Sequence, residues 1–128
     1  MTSLQSLAKS IVLPVLILLV PVVGYAQSSK VVTAYNYLKD NDYLKAKEHI
    51  DAAAQHKKTS TWSKTWYYRG MIYQGIYSSQ EETYASLNKW DALREAFISL
   101  KKARELNSKR INKDDVERRY KMLANFFL

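Results

Sequence analysis

The 128 residues include no cysteine, only three glycines, two prolines and two histidines. Without cysteine there is no disulfide, no thiol nucleophile, no cysteine-based zinc site and no thiol for lipid attachment. Three scattered glycines make no Gly-rich phosphate loop, and no serine stands in a nucleophile elbow. His49 and His56 lie seven apart, and neither has a histidine or glutamate four residues away to complete a metal pair, so both are read as surface or rim residues. Glu81 and Glu82 are adjacent and point about 100° apart on a helix, with no converging acid or base, which reads as a solvated charge pair. Carboxylates are also scarce, 12 against 20 basic residues, for a net charge of +8. The residues that remain offer no recognisable catalytic or metal-binding motif.

A long apolar run is missing everywhere but at the amino terminus. Residues 1–26 carry one charge, Lys9, then an apolar stretch from Ile11 to Val23 and the small-residue triplet Gly24-Tyr25-Ala26. This is the pattern of a secretory signal peptide, with the mature chain beginning near Gln27. The stretch is shorter than the roughly 20 apolar residues of a membrane span and is interrupted by Pro14 and Pro21. The alternative is an uncleaved leader that anchors the chain to an inner membrane. Loss of Lys9 with the leader lowers the net charge from +8 to +7. Export without disulfides fits a periplasmic or secreted helical domain.

What is present in abundance is helical periodicity. Val31, Ala34, Tyr35 and Leu38 recur at helical spacing, Asp40-Asn41-Asp42 breaks the pattern, and Asp42 is a suitable N-cap for a second helix over about Tyr43 to Gln55. Ala46, Ile50, Ala53 and Ala54 line one side of that helix. Trp66, Gly70 and Tyr73 fall at i, i+4 and i+7, with a residue lacking a side chain midway between two large rings. A mid-helix glycine costs roughly 1 kcal/mol against alanine, so Gly70 is expected at a close helix approach. Trp66 and Gly70 are both expected to be buried where the second hairpin meets the first. Near the end, Asn112-x-x-Asp115 reads as a cap opening a helix with Val116, Tyr120, Leu123 and Phe127 on one stripe. Phe126 and Leu128 point away from that stripe, so either self-association through residues 116–128 or marginal stability is expected.

Trp66-x2-Arg69-Gly70-x2-Tyr73 closely resembles the first half of a tetratricopeptide repeat, W-x2-L-G-x2-Y, with Arg69 where the signature has leucine. The second half, A-x3-F, is matched by Ala46-x3-Ile50-x2-Ala53 and again by Ala96-x3-Leu100-x2-Ala103, with Ser108 where proline is usual. Lys30 holds the first tryptophan position, 36 residues before Trp66, against the family period of 34. Tyr120-x2-Leu123-Ala124-x2-Phe127 repeats the first-helix motif a third time. Between the helices of the second repeat stand fourteen extra residues, about Ser78 to Asp91, that include Tyr84, Leu87 and Trp90. These either meet a partner or, as we expect, fold back over the hairpin end.

The resemblance covers residues 29–128, and the leader adds a likeness to exported repeat proteins of Gram-negative bacteria. It implies an all-α fold of two tetratricopeptide-like hairpins and one extra helix over residues 27–128, stacked as a short right-handed superhelix. It also implies a concave groove that takes a peptide or protein segment, with no catalysis and no cofactor. The groove positions are then Val31 and Tyr35, Tyr67 and Met71, and Lys121 and Asn125. Some family members hold a carboxylate with a Lys/Asn pair at such positions, but the first two pairs here are apolar and aromatic. They suit an extended or helical apolar segment better. The alternative function is a basic surface-binding protein for anionic lipid or an envelope polymer, driven by Lys101, Lys102, Arg104, Lys109, Arg110 and Lys113. No nucleic-acid motif is present, so no nucleic-acid partner is expected.

Overall fold

A computed structural model of the protein describes residues 25–128, and these are all-helical. In chain order the helices are α1 (25–39), α2 (Tyr43–Gln55), α3 (Ser63–Ser78), α4 (Lys89–Leu106) and α5 (Lys113–Ala124). Short 3₁₀ turns occupy Thr59–Thr61 and Glu82–Tyr84. α1 and α2 form one hairpin, Tyr37 stacking on His49 across it, α3 and α4 form a second, and α5 packs on α4. α3 is central, packing on α4 within its own hairpin and on α2 of the first. No helix among the described residues is long and apolar enough to cross a membrane. The expected leader falls on residues 1–26 and so lies outside the described residues, except that Tyr25 and Ala26 are already helical.

The helix boundaries follow from polar caps. The Asp42 carboxylate accepts from the Lys45 amide at 3.3 Å and opens α2. The Asn88 side chain accepts from the Trp90 and Asp91 amides and opens α4, and Asn112 does the same for α5 through the Asp115 amide at 3.0 Å. α4 closes on Asn107 in the left-handed region, φ 47°, with its amide bonded back to Ala103. Lys89 closes α3 from outside, its Nζ donating to the carbonyls of Ile76 at 2.6 Å and Ser79 at 3.0 Å.

Between these caps the apolar stripes meet. Ala46, Ile50 and Ala53 of α2, Ile72, Tyr73 and Ile76 of α3, and Leu93, Ala96 and Leu100 of α4 form one core, joined by Val31 and Ala34 of α1 and Leu123 of α5. Small residues alternate with branched ones, which lets the backbones approach. Gly70 marks a close approach to α4, since a Cβ there would lie 2.6 Å from Leu100 Cγ. That neighbour belongs to the same hairpin, not to the first one as expected. The contact with the first hairpin falls instead at Gly75, against the Tyr43 ring.

Trp66 is only half-buried. Its indole N–H donates to the Ser60 carbonyl at 2.8 Å, and Lys102 Nζ sits 4.5 Å from the ring centre, so the ring stays at the hairpin margin. The long connection between α3 and α4 folds back over the hairpin end. Tyr84 is 4 % exposed, its hydroxyl accepting from the Tyr43 amide and donating to the Asn41 carbonyl. Leu87 packs on the core, while Trp90, at the start of α4, stays largely exposed beside Phe127. The last helix is shorter than its apolar stripe suggests: α5 ends at Ala124, and a turn carries Phe127 back onto the Phe97 ring, 5.0 Å between centroids.

Candidate functional site

The face built by α1, α3 and the approach to α5 carries a furrow made of three joined depressions. The central one, about 450 Å³, is lined by Tyr35, Leu38 and Lys39 of α1, Lys64, Tyr67, Tyr68 and Met71 of α3, and Arg110, Ile111 and Asn112 before α5. Lys64 and Arg110 are shared with a second depression of about 290 Å³ beside Trp62 and Leu106. Leu38 and Met71 are shared with a third of about 310 Å³ that reaches Gln74 and Arg119.

Helical spacing explains the furrow's wall on α3. Residues 64, 67, 68, 71 and 74 recur at three and four, one stripe of the helix, while Gly70, Tyr73 and Ile76 turn to the core. Tyr35 stacks on Tyr68 with 4.6 Å between centroids, and Tyr68 meets Tyr67 at 5.8 Å, so three rings run across the α1–α3 seam. Two rungs tie α3 to α5. The Tyr67 hydroxyl donates to Asp115 at 2.6 Å, and Arg119, bonded to the same carboxylate at 2.6 Å, donates to Gln74 at 2.5 Å. Arg118 also binds Asp115.

These contacts set the local titration. Burial opposes charge on the Asp115 carboxyl, but the bonds from Tyr67, Arg119 and Arg118 outweigh it and bring its pKa down to about 2. Burial, then the bond to Asp115, pushes the Tyr67 hydroxyl up to about 12. Tyr68 is raised by burial and by neighbouring Tyr35. None of these groups is poised to exchange protons near neutral pH, and the rings are held as neutral contact surface.

Three of the six expected groove residues, Tyr35, Tyr67 and Met71, come together in the central depression. Val31 does not, being 3 % exposed within the core. Lys121 pairs with Glu117 at 3.6 Å, and Glu117 also binds Arg104 of α4, so Lys121 lies on the α4 side. It stands two residues past Arg119, about 200° round the helix, because the furrow side of α5 is the 115/119 stripe and not the one following Tyr120. Asn125 is exposed at the C-terminal cap of α5. Motif alignment missed Tyr68, Lys64 and Arg110, although the 64/67/68/71 stripe was visible in the sequence once α3 was placed.

Of the expected basic cluster, Lys102 covers Trp66, Arg104 pairs with Glu117 at 2.6 Å and Arg110 enters the furrow, while Lys101, Lys109 and Lys113 are exposed. On the other side of α3, Arg69 is 13 % exposed at the side chain and binds Asp51 at 3.0 Å, Glu95 at 2.9 Å and Ser99 at 2.8 Å. Tyr73 donates to the same Asp51 at 2.7 Å, so the leucine site of the repeat motif holds an ionic hub joining α2, α3 and α4. His49 stacks on Tyr37, and the described residues hold no metal-ligand cluster. No family model, curated protein or solved structure matches the chain.

Proposed function

We propose that this chain is a tetratricopeptide-like binding scaffold that holds a peptide or protein segment in the furrow across α1, α3 and the start of α5. The observation that carries the reading is the seam Tyr35–Tyr68–Tyr67 with Leu38, Met71 and Ile111 beside it. Rings fixed by stacking and by the Asp115 bond give contact area at low entropic cost, which is what capture of an extended segment needs. The furrow also lies on the first helices of successive hairpins, where the family resemblance implies a groove. The same proposal takes residues 1–26 as a cleaved leader, which puts the scaffold in the periplasm or outside the cell.

Panning a random peptide library against the protein and against Met71→Arg tests the binding reading. Met71 is half-buried, so an arginine fits at the furrow without unfolding the helix. Peptides enriched by the wild type and lost on Met71→Arg are expected, and equal recovery on both refutes a furrow site. Amino-terminal sequencing of the protein from the producing cell is expected to begin at or near Gln27. An intact Met1 or Thr2 refutes the export reading.

A further inference from the structure

We infer that the segment received by the furrow is acidic, an extended stretch that places aspartate or glutamate beside Lys39, Lys64 and Arg110 and an apolar side chain on the floor between them. This rests on the reading of the furrow as a peptide site and adds the chemistry of the occupant. None of the three joined depressions is lined by an aspartate or glutamate, while four cations, Lys39, Lys64, Arg110 and Arg119, reach them. Arg119 is consumed by Asp115 and Gln74. Lys39, Lys64 and Arg110 form no ion pair among the described residues, and all three are exposed. The depression on the other side of α3 is different, mixing Lys47, Arg69 and Arg94 with Asp91 and Glu95. Three of the four cations at the furrow are therefore left open, with no acid in its lining to compete for them.

Charge alone would suit any polyanion, and the floor decides between them. Leu38, Met71 and Ile111 offer an aliphatic surface between the cations. A peptide can alternate carboxylates with apolar side chains at this scale, whereas a nucleic acid brings planar bases, which stack on rings and not on an aliphatic surface. A flat bilayer meets the rims of a recessed furrow and leaves its floor uncovered. Like-signed cations along the path also disfavour basic segments.

The test uses the full chain as cells process it, with Lys64→Glu/Arg110→Glu as the charge-reversed variant. Both side chains are exposed and unpaired, and Lys64 lies in the first turn of α3, where an acidic residue suits the helix dipole, so an unchanged thermal melt is expected. Peptides selected from the random library by the wild type should be rich in aspartate and glutamate with an apolar residue between. They should bind the variant about tenfold more weakly or worse, and versions with lysine for each acid should prefer the variant. Selected peptides that are neutral or basic, yet still lost on Met71→Arg, overturn the acidic occupant and leave the peptide site standing. Absence of any Met71-dependent peptide overturns both. Binding of oligothymidylate or phosphatidylglycerol vesicles that weakens on charge reversal but strengthens on Met71→Arg overturns the proposal in favour of a polyanion.

Discussion

Gly70→Ala separates two opposed physical effects at the centre of the fold. Helix propensity favours alanine by about 0.8–1.0 kcal/mol in a helix interior. Packing opposes it, because the new Cβ would lie 2.6 Å from Leu100 Cγ and 2.8 Å from Cδ2, where carbons normally sit about 3.5–4.0 Å apart. Leu100 is fully buried, so its branch point cannot swing into solvent and roughly 1 Å must come from backbone separation. Overpacking of this kind costs about 1–3 kcal/mol, which leaves Gly70→Ala destabilising by about 1 kcal/mol. Leu100→Ala alone should cost about 2–5 kcal/mol by opening a cavity, yet in that background Gly70→Ala should turn stabilising, since the clash is gone and the propensity gain remains. Urea unfolding of the four proteins, followed by tryptophan fluorescence, measures the cycle, and a coupling of about 1–3 kcal/mol is expected. If Gly70→Ala stabilises both backgrounds equally, Gly70 is not there for close packing.

Arg69→Leu restores the residue usual in the repeat motif but leaves Glu95 without its cation, while Asp51 keeps Lys47 and Tyr73. Because both carboxylates keep some solvent, a loss of about 2–3 kcal/mol is expected in urea unfolding, partly recovered by adding Glu95→Gln. Asp115→Asn should lower stability at neutral pH by about 1.5–3 kcal/mol. Its folded pKa is depressed to about 2 from 3.8, so the wild-type advantage holds above pH 4 and should vanish as pH falls toward 2; parallel pH profiles of the two proteins would contradict this. The expectation of self-association through residues 116–128 is checked by sedimentation at several concentrations, which should then show dimer or larger species. Phe126, 51 % exposed, and Leu128, 94 % exposed, are the residues to change, and Phe126→Ser/Leu128→Ser should shift the protein to monomer, whereas equal sedimentation of both would rule that surface out.

The helices were legible because their signals are local. Asp42 and Asn112 cap α2 and α5 as their side chains suggest, and the stripes Ala46-Ile50-Ala53 and Ala96-Leu100-Ala103 are buried as their spacing suggests. What depends on rotation of one helix against another was not legible. Gly70 announced a close approach but not its partner, because a missing side chain names no neighbour. Aligning Tyr120 with Trp66 puts Lys121 and Asn125 at the groove positions. Tyr120 instead stacks on Phe97, 5.4 Å between centroids, which turns the 115/119 stripe of α5 toward α3. Arg69 in a leucine position likewise gave no sign that two acids from separate helices converge on it.

α3 has no idle face, and that explains both its weak apolar stripe and its place in the proposed function. One side carries Gly70, Ile72, Tyr73 and Ile76 into the core and, between Ile76 and Tyr73, presents Arg69 to Asp51 and Glu95, and the opposite side sets Tyr67, Tyr68 and Met71 in the furrow. Neighbouring residues thus serve packing, ion pairing and the candidate site within two turns. The furrow rings are held from outside α3, Tyr68 by Tyr35 of α1 and Tyr67 by Asp115 of α5. Its shape therefore depends on α1 and α5 staying docked at opposite edges of α3, although neither helix lies in the central hairpin. A change that loosens α5, such as Asp115→Asn, should free the Tyr67 ring and weaken peptide capture even where the α3–α4 core is untouched, because the rings would then have to be ordered at the moment of binding.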